Sequence, residues 1–227
     1  RILSSAASDV YKRQVLIHAV PMAIEPIKCA FNELWPEPEI VNLFDDSLSV
    51  DRAKSNVLTT DMEKRFSDLG NYAESIGADG ILFTCSAFGP AIDKVAYNLT
   101  IPVLKPNEAM FEQALNTGHK IGMLATFGQS IASMSKEFCE IRNSLSATGS
   151  LDTKLVEGAM EFLRQGNQTK HNELIAKTAA TFKHCDVLML AQFSMVSAKS
   201  AVFRELNVPV LTAPEAAVKK LRGILMQ

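Results

Sequence analysis

Apolar residues along this chain switch repeatedly between two periods. Short runs of four or five apolar residues alternate with longer stretches in which apolar positions return every three or four residues. The first run, 15–18 (Val15-Leu16-Ile17-His18), reads as a strand that ends in a Pro21 loop. Residues 26–34 are helical in pattern and stop at Trp35-Pro36, because a residue before proline is pushed out of the helical region. A second strand comes at 40–44. Apolar residues at 62, 66, 69, 73 and 76 form one helical stripe over 60–76. Gly77-Ala78-Asp79 then turns the chain into a strand at 80–84, a helix from about Pro90 and a strand at 101–104. The second half has the same order: strand 120–125, helix 130–144, a weak strand at Leu155-Val156, helix 169–182, strand 186–190, helix 197–206, strand 208–211 and a closing helix from about Pro214. Strands alternating with helices in this way predict an α/β fold with parallel sheets.

The two halves are alike in sequence as well as in pattern. An offset of 107 (186 − 79) lays Asp79 on Asp186, Pro102-Val103-Leu104 on Pro209-Val210-Leu211 and Glu108-Ala109 on Glu215-Ala216. The same offset puts Leu16-Ile17 on Met123-Leu124 and Phe31 on Phe138. A repeat of this length is too long for a solenoid unit and suits a small α/β domain. The expectation is therefore two pseudo-symmetric, doubly wound parallel-sheet domains. Residues 15–105 plus 213–227 would form the first and 106–212 the second. Residues 1–14, RILSSAASDVYKRQ, lack a hydrophobic pattern that continues into the first strand and resemble translated adaptor sequence, so they are expected to be a non-native or disordered leader.

Charge and composition narrow the function. The formal net charge is −2 with both signs interspersed, which excludes the basic footprint of a nucleic-acid or acidic-membrane binder. No apolar run approaches the roughly 18 residues of a membrane span. Cys29, Cys85, Cys139 and Cys185 are scattered without a C-x-x-C pair, as in a reduced, cytoplasmic protein with no structural metal. Cys29, Cys139 and Cys185 read as core filling, and His171 as solvated.

Doubly wound domains bind ligands outside the carboxyl ends of their strands. Two such domains facing each other bring four strand ends to one cleft: His18-Ala19-Val20, Thr84-Cys85-Ser86, Thr126-Phe127-Gly128 and Gln192-Phe193-Ser194. Cys85 stands at a strand-to-helix turn. There a helix macrodipole and free N–H groups are expected to lower the thiol pKa and to hold a carboxylate or oxyanion. Such a thiolate is a base or a nucleophile, although the same position also suits a small buried hydrophobe. His18 is a candidate acid across the cleft or, equally, a histidine satisfied by backbone. Ser86, Thr126 and Ser194 offer hydroxyl donors for a carboxylate. The repeat pairs Cys85 with Gln192, a side chain that hydrogen bonds but moves no proton.

The LFTCSAFGP turn, the IGMLATF strand, the VEGA segment and the closing NVPVLTAPEAAV resemble the aspartate/glutamate/hydantoin racemase superfamily from Val15 to Leu225. The resemblance implies two pseudo-symmetric α/β domains, no cofactor and no metal. It further implies a small carboxylate or amino-acid-like substrate in the cleft, and a homodimer as found among relatives. Racemases of this kind use one cysteine from each domain on opposite faces of an acidic carbon. Cys85 matches the first of these, and the second falls on Gln192. The resemblance thus implies an isomerase-type enzyme in which Cys85 transfers protons from one side, by racemase-like isomerisation or by one-sided decarboxylation. Gln192 would then bind substrate. An inactive carboxylate-binding protein on the same fold is the alternative.

Overall fold

The computed structural model describes residues 12–55 and 57–226. The first four-stranded sheet contains β1 (Arg13–His18), β2 (Glu39–Phe44), β3 (Gly80–Phe83) and β4 (Val103–Leu104), in the order β2-β1-β3-β4. The second contains β5 (Lys120–Ala125), β6 (Ser150–Leu155), β7 (Val187–Leu190) and β8 (Val210–Thr212), in the order β6-β5-β7-β8. Every strand pairing is parallel. Helices flank both sheets: α1 (Ile24–Leu34), α2 (Ser47–Lys54), α3 (Thr60–Ser75), α4 (Gly89–Asn98) and α5 (Glu108–Thr117) in the first half of the chain. The second half supplies α6 (Ile131–Ser144), α7 (Ala159–Arg164), α8 (Gln168–Ala179), α9 (Lys199–Glu205) and α10 (Ala213–Leu225). No described helix is long and apolar enough to cross a membrane.

The repeat in the sequence is a repeat of hydrogen bonds. Gln14 pairs with Gly80 in the first sheet and Ile121 with Val187 in the second, each offset by 107. Arg13 N–H donates to Asp79 Oδ2 at 2.7 Å, and Lys120 N–H to Asp186 Oδ2 at 2.8 Å. Thr84 N–H donates to Ile17 O, and Ala191 N–H to Leu124 O, both at 3.0 Å. The matched aspartates are therefore clamps that tie the start of one strand to the start of its neighbour. Arg13 and Gln14, at the inner end of the expected leader, are ordered in β1; residues 1–11 lie outside the described residues.

Burial on both faces explains the apolar strands. Val15 and Ile17 pack with Phe66, Phe83 and Phe88 on one face of the first sheet, whereas Leu16 turns to a central core shared by both sheets. That core also takes Phe31, Phe111, Met123, Phe138 and Leu221. The closing helix α10 lies against α1 and β3, while α5 lies against β7. Gly122 is needed where it stands: a Cβ there would come within 2.6 Å of the Phe182 ring.

Helix ends arise from local chemistry. Thr59 accepts from Met62 N–H at the start of α3, and Gly77 (φ 82°) releases the chain after it. Pro90 and Pro214 open α4 and α10. Three helices escaped the hydrophobic pattern. The short α2 and α7 each bury one residue, Leu48 and Ala159, so neither carries a helical stripe. Their absence from the sequence expectations matters, since both helices wall the cavity at the strand ends. The third, α5, is the counterpart of α10 under the repeat. The weak strand lies at Ser150–Leu155, earlier than expected, on a sheet edge where its polar side chains are only partly buried. Cys29 proves exposed and His171 fully buried, both contrary to expectation.

Candidate functional site

The carboxyl ends of β1, β3, β5 and β7 open on one cavity of about 340 Å³. Most of its lining is paired by the repeat. Val20 and Phe127, Cys85 and Gln192, Ser86 and Phe193, Ala87 and Ser194 all contribute, each pair separated by 107. Further on the offset becomes 111 (150 − 39, the starts of β6 and β2), and Ser49 pairs with Met160 and Ala53 with Arg164. A cavity lined by equivalent residues from both halves lies on the pseudo-twofold axis. Cys85 and Gln192 are its matched and unlike members.

Cys85 follows the last residues of β3 in extended conformation (φ −121°, ψ 119°), and the short 3-10 turn Ser86–Phe88 separates it from α4. This corrects the expected activation of the thiol. Burial pushes the Cys85 thiol above its ordinary value, with the Ala87 N–H and the Arg52 charge opposing that shift in part. The helix begins too late for its macrodipole to act at full strength on the sulfur, and the surrounding walls are mostly apolar. Arg52 of α2 supports the turn by donating from Nε to Ala87 O at 3.2 Å.

Gln192 is held from three sides. Its Oε1 accepts from Thr126 N–H at 2.8 Å and from Thr126 Oγ1 at 3.4 Å, and its Nε2 donates to Ser130 Oγ at 3.1 Å. Ser130 Oγ donates in turn to Phe127 O at 2.8 Å. One Nε2 hydrogen is left for a ligand. Thr126 is thus not among the cavity-lining residues; its expected role as a carboxylate donor is taken up by holding Gln192. Subtracting 107 places Ala19 and Ala23 where Thr126 and Ser130 would be, so the first half lacks this polar clasp.

His18 is brought elsewhere. Its ring is fully buried, with Nδ1 at 2.9 Å from Thr84 Oγ1 and Nε2 at 2.9 Å from Asn42 Oδ1. Burial lowers its pKa, against the smaller effect of the Asn42 contact. Both nitrogens are engaged and the ring does not line the cavity, so it fixes Thr84 and does not reach across the cleft. Ser86 and Ser194 do line the cavity, and neither hydroxyl has a protein partner among the described residues.

A model of the Asp/Glu/Hydantoin racemase family matches residues 31–221. The chain belongs to this family. Among solved structures, a glutamate racemase from Bacillus anthracis superposes with a TM-score of 0.75 at 13% identity, covering 95% of this chain and 82% of that one. The aspartate racemase of Picrophilus torridus gives 0.72 at 17% identity, covering 95% and 94%. The allantoin racemase of Klebsiella pneumoniae gives 0.67 at 16%, covering 95% and 88%. These likenesses establish the shared two-sheet fold. No curated protein matches the chain in sequence.

Within this racemase-family cavity one residue went unnoticed in the sequence. Arg164, the last residue of α7, lines the cavity together with Ala53 and has no ion-pair or hydrogen-bond partner among the described residues. The signal was present six residues beyond Gly158 of the VEGA segment, but a six-residue helix with one buried position leaves no periodic trace.

Proposed function

We propose that this member of the racemase family is a cofactor-independent enzyme that transfers a proton at the carbon next to a small carboxylate, with Cys85 as its single acid–base group. The pairing of Cys85 with Gln192 across one cavity on the pseudo-twofold axis carries the proposal. One of the two faces of a bound substrate meets a thiol, and the other meets an amide that moves no proton at ordinary pH. Ser86, Ser194 and the remaining Nε2 hydrogen of Gln192 supply donors for carboxylate oxygens, with Thr126 and Ser130 keeping the amide in place.

The raised thiol favours donation. At neutral pH Cys85 is protonated, as suits a group that delivers its S–H proton to a carbanion left when a carboxylate departs as carbon dioxide. The carbon gains that proton, and the thiolate is then reprotonated by water. Exchange or isomerisation needs the thiolate first, and so runs faster as pH rises. Catalysis that begins from the thiol should be flat through neutral pH and decline above the ordinary thiol range.

Incubation in D₂O with amino acids, hydantoins and substituted malonates tests the proposal. The expected result is deuterium at the α-carbon with one configuration, abolished by Cys85→Ala. General acid–base help is typically worth about 10²–10⁴ in rate, so the face served by Gln192 should lag by that order. Rapid formation of the opposite deuterated enantiomer would establish a second acid and overturn the one-sided mechanism. The same raised thiol also favours a second reading, a carboxylate-binding protein without turnover. That reading requires ligand binding with no exchange at any pH.

A further inference from the structure

The cavity is lopsided in charge. Among the described residues that line it, Arg164 is the one ionised side chain, and no aspartate or glutamate contributes. Its guanidinium has no carboxylate partner among the described residues, although ion pairs occupy many arginines and lysines elsewhere on the surface. An arginine left without a partner at a cavity wall presents a planar fork that matches a carboxylate. The rest of the wall is largely apolar: Val20, Met22, Val50, Phe127, Met160 and Phe193. An ammonium group entering this space would lose hydration without gaining a counter-ion, a cost that a few neutral hydrogen bonds do not offset.

We infer that the cavity selects a carboxylate that bears an apolar substituent and no ammonium group, anchored by Arg164 of α7. The inference rests on the placement of the active site in this cavity, and deepens it by naming the substrate class. Anchor and thiol come from opposite halves, since Arg164 stands where the first half has Ala53 and Cys85 stands where the second has Gln192. A cavity of about 340 Å³ is large enough for a ring-sized substituent. Ser86 and Ser194, with hydroxyls free of protein partners among the described residues, add neutral donors that a carboxylate uses and a second charge does not require.

Two probes of almost the same shape separate the possibilities. 2-Phenylpropionate and 2-phenylglycine differ by a methyl against an ammonium on the same carbon. Isothermal titration of the Cys85→Ala protein, which cannot turn over, should show 2-phenylpropionate binding at least roughly 10-fold more tightly than 2-phenylglycine, and no heat with glutamate. Arg164→Gln should weaken 2-phenylpropionate roughly 10- to 100-fold, the range for losing a charge-assisted hydrogen bond. Arg164→Lys should restore part of that loss. Because Arg164 is exposed and unpaired among the described residues, the thermal midpoint of the unliganded variants should not move, which separates lost binding from lost folding. Equal or tighter binding of 2-phenylglycine or glutamate, no binding of 2-phenylpropionate, or indifference to Arg164→Gln would each overturn the inference. Selectivity without deuterium exchange in the wild-type protein would sink the proton-transfer mechanism and leave the ligand class standing. Cys85-dependent exchange on glutamate would do the reverse.

Discussion

A thiol and an amide occupy equivalent places in the two halves, and their surroundings changed with them. Gln192 is clasped by Thr126 and Ser130; the first half offers Ala19 and Ala23 at those places. Without such a clasp the Cys85 thiol stays protonated, since burial penalises the thiolate. Iodoacetamide at pH 7 should therefore label exposed Cys29 first, and labelling of Cys85 should accelerate only as pH rises beyond the ordinary thiol range. Fastest labelling of Cys85 at pH 7, read by mass spectrometry, would mean that its pKa is depressed. A second residue-scale outcome concerns Gln14. Its side chain is fully buried against Gly80, and neither amide atom has a hydrogen-bond partner among the described residues. The equivalent position holds Ile121. Gln14→Ile should raise unfolding free energy by about 1–3 kcal/mol, the usual cost of an unsatisfied buried polar group, as measured by urea denaturation.

Elements that cross between the halves carry the clearest electrostatics. Lys105, in the segment joining β4 to α5, lies 2.9 Å from Asp93 of α4 and 3.7 Å from Glu137 of α6. Burial pushes the Glu137 carboxyl up to about 7, with Lys105 opposing and Glu108 and Asp93 adding to the rise. The folded protein thus binds a proton here more tightly than the unfolded chain. The resulting stabilisation is complete below about pH 4.5 and is lost as pH rises to about 7. Over pH 5–8 the loss should be about 2–3 kcal/mol, since each tenfold difference in proton affinity between the folded and unfolded states is worth about 1.4 kcal/mol. His18 and His171, whose pKa values burial lowers, work in the opposite direction as pH passes their unfolded value. The informative quantity is therefore the difference between wild type and Glu137→Gln. Urea titrations at pH 5 and pH 8 should show the variant gaining relative to wild type at the higher pH; an unchanged difference would mean that Glu137 is ionised throughout.

On the scale of the whole molecule, the pseudo-twofold arrangement makes the missing acid replaceable. Gln192→Cys would put a thiol on the face that now meets an amide, at the price of freeing Thr126 N–H and Ser130 Oγ. In D₂O this variant should form both deuterated enantiomers where the parent forms one, as chiral chromatography with mass detection would show. Continued production of a single enantiomer by a folded variant would mean that the second face is not open to protonation from position 192.

The repeat, the parallel sheets and the chain order were legible because they are written in one-dimensional periods: an offset of 107 and apolar runs set by sheets buried on both faces. The same offset singled out Cys85 and Gln192, and the strand ends led to Ser86 and Ser194. Side-chain direction was not legible. His18 and Thr126 also stand at strand ends, but one hydrogen-bonds Asn42 and Thr84 and the other holds Gln192. Arg164 and α2 were out of reach for another reason, because short helices with one buried residue leave no stripe. The sequence alone determined which residues are equivalent, since equivalence is a property of spacing. Only the tertiary structure decided which of them face the cavity and how the Cys85 thiol titrates, because burial and hydrogen bonding depend on neighbours far away in the chain.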